Sequence, residues 1–305
     1  MKIGIISNVE SCIPLLQYLR SINIETVLYI GSSNAETNNS SLISFCAVAK
    51  IPFEVEVKST QLYEWLHLQK PDYSFVYGYK KLIDINKLGK FQQNIFNIHP
   101  GKLPNYRGSS PIFWQLKNGE DKIGIAIHFL SDKYDEGAIV WQKEIANEKH
   151  FSYGLVEMIF ANLLIEGVHH VISKEIEELL KQKIEQNEKS AFLYFKPSLK
   201  EVLIDWQKMN ASKIEDLVKA CNPWNKGAIT VCNGMEIKII DVEADSMKTS
   251  KTPGTIVELS GCVKVASANN SVVKINEMNI NGIFVPGRFA NKFGLVVGHC
   301  FETPQ

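Results

Sequence analysis

Short apolar runs alternate with helix-like segments over the first hundred residues, and this alternation constrains the fold more than any other feature. The run Lys2–Ser7 is almost wholly apolar, as expected of a strand buried on both faces of a parallel sheet. Parallel neighbours need crossover connections, which helices usually provide. The alternation therefore predicts an α/β fold with a doubly wound, Rossmann-like parallel sheet.

The other predicted elements of this domain continue the same pattern. A first helix is predicted from an apolar stripe made by Ile13, Leu15, Leu16 and Leu19. Further strands are expected at Thr26–Ile30, Phe53–Val55, Tyr73–Tyr77, Asn94–Ile98, Gly124–Phe129 and Ala138–Ile145. Further helices are expected at Leu42–Ala49, Gln61–Leu68 and Ser152–Ser173, the last with Leu155, Ile159, Leu163 and Val168 on its buried face.

The sequence changes character after a charged connector, Lys174–Lys189. A helix is expected at Ser212–Cys221, followed by short strands at Met235–Val242, Thr255–Leu259, Val263–Ala266 and Val272–Ile280. Closely spaced short strands punctuated by Gly and Asn predict a smaller, OB-like β-barrel. We therefore predict two domains, residues 1–197 and 198–305.

Charge and cysteine usage narrow the class of protein. Basic and acidic residues number 33 each, divided 21 to 22 before Ser198 and 12 to 11 from there on, so neither part predicts a broad phosphate-binding surface. The six cysteines form no CxxC pair, and we expect no metal site. We find neither a signal peptide nor an apolar run near 20 residues, which predicts a cytoplasmic protein without a membrane segment.

The segment Phe96–Gly108 contains the most informative polar residues. Strand side chains alternate, so Asn97 and His99 should share one face while Ile98 enters the core. Both polar groups should then lie at the carboxyl edge of the sheet, where open α/β sheets bind ligands. An amide can donate to the oxyanion of a tetrahedral intermediate, and an imidazole can accept the proton of an amine or stabilise the oxyanion as imidazolium.

These residues belong to a pattern that resembles the 10-formyltetrahydrofolate-dependent formyltransferases, the family of methionyl-tRNA and nucleotide-aminosugar formyltransferases. The matching segments are Asn97-Ile-His99, Leu103-Pro-Asn-Tyr-Arg-Gly108, Asp135-Glu-Gly137, Ile204-Asp-Trp206 and Asn222-Pro-Trp224. The resemblance implies that Asn97, His99 and Asp135 are catalytic, with Asp135 beside His99. It also implies 10-formyltetrahydrofolate as the formyl donor.

The resemblance further implies a set of ligand contacts. The pterin is expected between the turn near Tyr79–Ile83 and the loop Ser131–Gly137. The donor contacts are then Tyr79, Lys80, Leu82, Ile83, Ser131, Asp132 and Gly137, and the acceptor contacts are Lys102, Tyr106 and Arg107. Arg107 could equally be a structural ion-pair partner. We expect His128 to pack within its strand rather than to act.

The acceptor is less constrained than the reaction. A tRNA enzyme of this family carries a basic insertion after the second strand, whereas loop Gly31–Ser40 has no Lys or Arg. This favours a small amine acceptor, such as a nucleotide-linked aminosugar or an amino-acid-derived amine, over initiator methionyl-tRNA. Two other functions remain as alternatives: hydrolysis of formyltetrahydrofolate, and nucleic-acid binding by the OB-like domain with an inactive first domain.

Overall fold

The computed structural model describes residues 1–32, 39–58 and 60–304. The small-amine acceptor is predicted from loop Gly31–Ser40, and most of that loop, residues 33–38, lies outside the described residues. The chain divides into two compact units: one is Met1–Pro111, Gly124–Ile145 and Glu157–Tyr194, and the other is Ile112–Ile123, Ala146–Val156 and Phe195–Gln305. The predicted boundary after residue 197 stays a prediction, and two earlier segments group with the second unit.

Nine strands and six α-helices precede residue 195 in the described chain. The strands are β1 Lys2–Ser7, β2 Glu25–Ile30, β3 Phe53–Val55, β4 Tyr73–Tyr77, β5 Ile95–His99, β6 Arg107–Gly108, β7 Lys122–Phe129, β8 Ile139–Ala146 and β9 Leu193–Tyr194. The helices are α1 Ile13–Ser21, α2 Ser40–Ala49, α3 Gln61–Gln69, α4 Pro111–Lys117, α5 Tyr153–Ile172 and α6 Ile176–Gln182. Seven strands form one sheet in the order β3-β2-β1-β4-β5-β7-β8.

The doubly wound fold is confirmed, but the sheet is not parallel throughout. Strands β1 to β5 pair in parallel, whereas β7 pairs antiparallel to β5. The chain returns to the sheet from the edge at which β5 ends, and such a connection needs no crossover. This antiparallel pair sets Asn97 opposite His128 and Ile98 opposite Ile127.

Helix α5 corrects the expected buried face. Its buried face contains Val156, Phe160, Leu164 and Val168, so the buried face is turned by about one residue from the predicted one. Among the described residues it is also the one helix that is long and apolar enough to cross a membrane by length and composition. It is a partly buried core helix here: a methyl group at Gly167 would lie 2.6 Å from the ring of Trp141.

The second unit contains the antiparallel sheet predicted from the sequence. Its elements are α7 Ala211–Cys221, β10 Ala228–Cys232, β11 Met235–Asp245, β12 Ile256–Glu258, β13 Val263–Ser267, β14 Ser271–Ile280, β15 Ile283–Pro286 and β16 Phe301–Glu302. The strand order is β12-β13-β14-β11-β10-β16, with β15 added on β14. A bridge between Thr255 and Cys300 joins the two ends of this path, so the sheet curls into a closed, OB-like barrel.

Candidate active site

Strand β5 places two polar side chains at the carboxyl edge of the sheet. Asn97 is partly buried and His99 is 4% exposed, while Ile98 between them enters the core. The chain turns immediately, because the Gly101 amide donates to the His99 carbonyl. A methyl group at Gly101 would lie 2.6 Å from His99 Nε2, so the following loop can close over the imidazole only with glycine at this position.

The Asp135 carboxylate lies against both of these side chains. Its Oδ1 is 3.0 Å from Asn97 Nδ2 and 3.3 Å from His99 Nδ1, and its Oδ2 accepts from the Gly108 amide at 2.8 Å. Asp135 has a φ of 56°, a left-handed conformation that Asp and Asn adopt more readily than other non-glycine residues. The structure thus brings together the three residues that the sequence predicts to be catalytic.

Burial and charge act in opposite directions on the two ionisable groups of this cluster. Burial alone raises the pKa of Asp135, but the charge of His99 and a hydrogen bond from His99 leave that pKa well below its usual range. Burial alone lowers the pKa of His99, but the charge of Asp135 and hydrogen bonds to Asp135 and the Tyr106 carbonyl raise it overall. Both directions favour a carboxylate paired with an imidazolium.

The hydrogen-bond geometry of His99 points to the same protonation state. Its Nε2 lies 2.6 Å from the Tyr106 carbonyl oxygen, which can only accept, so Nε2 carries a hydrogen. Its Nδ1 faces the Asp135 carboxylate, which also accepts when ionised. A ring with acceptors at both nitrogens is stabilised as imidazolium.

This ion pair predicts how stability depends on pH. Asp135 has a lowered pKa, so its contribution is present above the unfolded value near 3.8 and is lost as the pH falls through the folded pKa. His99 has a raised pKa, so its contribution is complete below the unfolded value near 6.5 and is lost as the pH rises through the folded pKa. We expect the stability of the wild type relative to His99→Gln to be greatest between these two values.

Thermal melting of both proteins from pH 4 to pH 9 measures this difference. Above pH 6.5 the wild type should lose stability relative to the variant by at most about 1.4 kcal/mol per pH unit, the limit for one proton. A difference in melting temperature that stays constant over the whole range would contradict the imidazolium assignment.

His128 also belongs to this cluster, contrary to the expectation that it only packs. Its Nδ1 donates to the Phe129 carbonyl oxygen at 2.8 Å, and its Nε2 lies 3.1 Å from Asn97 Nδ2 and 3.4 Å from Asp135 Oδ1. Because Nδ1 carries this hydrogen, Nε2 is the ring nitrogen that can accept from Asn97. Asn97 Nδ2 thus faces two acceptors, His128 and Asp135, which fixes the orientation of the amide.

The loop that carries Asp135 returns very close to β7. The Phe129 amide donates to the Ala138 carbonyl, and a methyl group built on Gly137 would lie 1.7 Å from the Phe129 carbonyl oxygen. Any side chain at Gly137 would push this loop away from the strand, and Asp135 with it. Gly137 therefore contributes through its backbone.

The predicted donor-binding turn forms part of a cleft. Tyr79, Leu82 and Ile83 line a cavity of about 220 Å³, together with Leu62 and Tyr63 on the α3 side. Ile83 belongs to a buried cluster with Ile95 of β5, and Leu130 packs against the same cluster; Lys80 is exposed. The turn and Leu130, the residue before the 131–137 loop, therefore pack on the same apolar cluster.

The remaining predicted contacts of that loop are at the surface. Ser131 Oγ donates to the Lys133 carbonyl at 2.9 Å, a local bond that shapes the turn, and Asp132 is exposed.

The Tyr79 hydroxyl donates to the buried carboxylate of Glu56 at 2.8 Å. The Tyr79 ring is therefore held in place by its hydroxyl.

The three residues predicted to contact the amine acceptor mainly contact other residues of the protein. The Arg107 side chain is 5% exposed and forms a bidentate pair with Glu188 at 2.6 and 3.0 Å. Tyr106 is 3% exposed, and its ring stacks on Tyr194 at 5.1 Å. Lys102 Nζ is 3.4 Å from a carboxylate oxygen of Glu144. For Arg107, these contacts favour the structural ion pair over the acceptor contact.

Comparisons with known proteins find matches for both parts of the chain. A family model described as formyl transferase matches residues 31–154, and one described as formyl transferase, C-terminal domain, matches residues 198–285. Methionyl-tRNA formyltransferase of Clostridioides difficile is 24% identical over 296 residues, 92% of each chain, and that of Bacillus mycoides is 29% identical over 233 residues, 75% of this chain and 72% of the relative.

Two further relatives, ArnA and HypX, are longer than this chain, whereas the sugar formyltransferase WlaRD is of similar length. The bifunctional polymyxin resistance protein ArnA of Wigglesworthia glossinidia brevipalpis is 32% identical over 221 residues, 69% of this chain but 32% of ArnA. HypX of Aquifex aeolicus, solved with tetrahydrofolic acid, has a TM-score of 0.64 at 19% identity and covers 96% of this chain, which spans 47% of HypX. The sugar 3N-formyltransferase WlaRD has a TM-score of 0.69 at 16% identity, covering 90% of this chain and 97% of WlaRD. At these identities, the two solved structures show a shared fold.

Proposed function

Because this chain is an enzyme of the formyltransferase family, we propose that it transfers the formyl group of 10-formyltetrahydrofolate to a primary amine. The observation that carries the proposal is the convergence of Asn97, His99 and Asp135 at the carboxyl edge of β5. That edge is where open α/β sheets bind their ligands. An amide donor, a buried imidazolium and one carboxylate form a site suited to a developing oxyanion.

The reaction makes one bond and breaks one. The neutral amine attacks the formyl carbon, which forms a new C–N bond and places negative charge on the formyl oxygen. Collapse of this tetrahedral intermediate breaks the bond between the carbon and N10 of the folate. The amine nitrogen loses a proton and N10 gains one, so the transfer consumes no net proton and needs no oxidant or reductant.

The residues of the site divide this work between them. Asn97 is the more exposed of the two β5 side chains. Its Nδ2 can give up the hydrogen bond to His128 and donate to the formyl oxygen instead. Catalytic hydrogen bonds often form fully only with substrate bound, and such an exchange is of that kind. His99 lies behind the amide as imidazolium and adds positive charge near the oxyanion. Asp135 holds His99 in this state and orients Asn97.

The cleft at the turn near Tyr79–Ile83 supports the assignment of the donor. Tyr79, Leu82 and Ile83 supply aromatic and aliphatic surface of the kind that a flat pterin ring requires. The loop from Ser131 to Gly137 would add backbone groups on the other side. We therefore place the donor between this turn and this loop, with the formyl group toward Asn97.

A small amine is the acceptor that the charges favour. The residues from 198 onward carry 12 basic and 11 acidic side chains, and the loop 31–40 has no Lys or Arg, so neither offers the dense positive charge that a tRNA backbone requires. We place the enzyme in the cytoplasm, with a nucleotide-linked aminosugar or an amino-acid-derived amine as acceptor.

Initiator methionyl-tRNA is the second candidate, and one observation favours it. The match to the Clostridioides difficile methionyl-tRNA formyltransferase extends over 92% of both chains, including the barrel. The segment Ile283–Val297 of the barrel adds exposed Phe284, Phe289 and Phe293 beside Arg288 and Lys292, with no acidic residue. Aromatic rings and cations of this kind can bind single-stranded nucleic acid.

An acceptor assay tests both candidates. Purified enzyme is given 10-formyltetrahydrofolate with a nucleotide-linked aminosugar, a free aminosugar, an amino acid or charged initiator tRNA, and tetrahydrofolate release is followed. We expect turnover with at least one small amine and little release without any amine. Turnover with charged tRNA alone would contradict the small-acceptor proposal, and equal release with no amine would indicate hydrolysis.

A further inference from the structure

Gln186 lies in the connector between α6 and β9, 51 residues after Asp135 in the chain, yet it contacts the catalytic loop directly. Its Nε2 donates to the carbonyl oxygens of Asp135 and Gly137, both at 2.7 Å. Its Oε1 accepts from Arg107 Nε at 3.0 Å. Both hydrogens of the amide and its oxygen therefore have partners, and the orientation of the side chain is fixed.

The two carbonyl groups that Gln186 binds belong to residues whose backbone conformation is constrained. Asp135 is in the left-handed conformation, and Gly137 passes so close to β7 that it cannot carry a side chain. A carbonyl oxygen can only accept, so a side chain with two donors on one atom is needed to hold both. Among neutral side chains of this length, only glutamine has such a group and an acceptor for Arg107.

The same connector also holds the opposite side of the Asp135 carboxylate. The Arg107 amide donates to the Phe192 carbonyl and the Ser109 amide to the Tyr194 carbonyl, which pairs β6 with β9. Between these two residues, the Gly108 amide donates to Asp135 Oδ2. The connector and β9 thus position Asp135 twice, at its backbone through Gln186 and at its carboxylate through Gly108.

We propose that Gln186 is a positioning residue for formyl transfer, holding the Asp135 carboxylate against His99 and Asn97. This inference rests on the proposed function of the cluster. Without the two donors of Gln186, the loop moves away from β5, the negative charge recedes from His99, and the imidazolium loses its stabilisation. The enzyme then loses turnover more than it loses donor binding.

Gln186→Met tests the proposal, because methionine keeps the length of the side chain but has no hydrogen-bond donor. The matched control is Gln182→Met, since Gln182 is an exposed glutamine on α6 that donates to Glu178. We expect Gln186→Met to lower kcat by roughly 10- to 100-fold with a smaller change in the KM for the donor, as for misplaced reacting groups. Gln182→Met should behave as the wild type does.

Titration of the His99 ring by NMR supplies a readout that does not depend on turnover. In Gln186→Met the pKa of His99 should fall, because burial then acts with less opposition from the carboxylate. If Gln186→Met does not fold, Gln186→Asn, which withdraws the amide by one methylene, should shift the pKa and kcat in the same directions.

The outcomes separate the two proposals. A wild-type His99 pKa in a folded Gln186 variant overturns the positioning role, whatever the activity, and so does a wild-type kcat. Absence of formyl transfer in the wild type, with the His99 pKa still lowered in the variant, contradicts the proposed function and leaves the structural link between Gln186 and Asp135 supported. A fall in thermal stability with unchanged His99 titration assigns Gln186 a structural role only and also overturns the proposal.

Discussion

Asp135→Asn is expected to lower kcat for formyl transfer by about 10²- to 10⁴-fold, the range typical of groups that control protonation in an active site. The carboxylate faces the side-chain nitrogens of Asn97 and His99 on one side and the Gly108 amide on the other. An asparagine has only one acceptor oxygen for these donors. Its NH₂ group must therefore face the donors that the second carboxylate oxygen had accepted from. Donors then face donors at the centre of the site.

The charge change has a second effect through His99. Burial alone lowers the pKa of His99, and the charge of Asp135 is the largest influence that raises it. Removing that charge favours the neutral ring at pH 7, which cannot stabilise an oxyanion as an imidazolium does. The rate loss should therefore be partly recovered as the pH is lowered, an effect that simple misfolding does not produce.

Asparagine is the appropriate substitution because the backbone at Asp135 is left-handed. Asn tolerates the φ of 56° at this position, whereas Ala would add strain of roughly 1–2 kcal/mol. Asp121→Asn is a matched control, since Asp121 is exposed. Steady-state rates of tetrahydrofolate release between pH 5.5 and 9 measure the effect. Nearly full activity in Asp135→Asn would rule out its assigned role.

The alternating elements of the first hundred residues could be predicted because each strand has its own local signal. Strands β3 and β4 have the predicted bounds, and β5 is shifted by one residue. A strand buried on both faces is a short apolar run wherever it occurs, and the side-chain period of two then places Asn97 and His99 on one face. Asn97 and His99 can therefore be placed on one face without knowing which strands lie next to β5.

The residues that were missed depend on contacts between distant segments. His128 joins the site only because β7 runs antiparallel to β5, which sets it opposite Asn97, and a strand sequence alone does not state its partner or direction. Gln186 lies in a polar, charged stretch that is typical of a solvated connector. The conformation of the 103–109 loop and its pairing with β9, which bring Gln186 to Asp135, have no sequence signal of their own.

Helix α5 shows a different limit of prediction from sequence. Leu155, Ile159 and Leu163 are spaced as well for burial as the residues that are buried, because the helix is apolar on most of its surface. Periodicity then cannot decide which stripe faces the sheet. The close contact between Gly167 and Trp141 decides it, and that contact is a property of the packed structure.

Asn97→Ala is expected to lower kcat by about 10²- to 10³-fold, the loss typical of removing one oxyanion donor. The side chain is partly exposed, and its Nδ2 lies 3.0 Å from Asp135 Oδ1. Because the formyl oxygen gains its charge only as the amine attacks, the KM for the donor should change much less than kcat. Asn94→Ala is the control, since Asn94 lies just before the first residue of β5 and its Nδ2 donates to the Asp72 carbonyl at 2.9 Å, at the end of the strand away from the site.

Combining Asn97→Ala with Asp135→Asn distinguishes an oxyanion donor from a side chain that merely orients the carboxylate. If Asn97 acts on the substrate and Asp135 acts mainly through His99, the two rate losses should partly add. If Asn97 serves only to hold Asp135 through its hydrogen bond, the double variant should be no slower than Asp135→Asn alone, because residues that act as one unit are strongly non-additive. A double variant as fast as Asp135→Asn would therefore remove Asn97 from direct contact with the formyl oxygen and leave the imidazolium as the main source of positive charge.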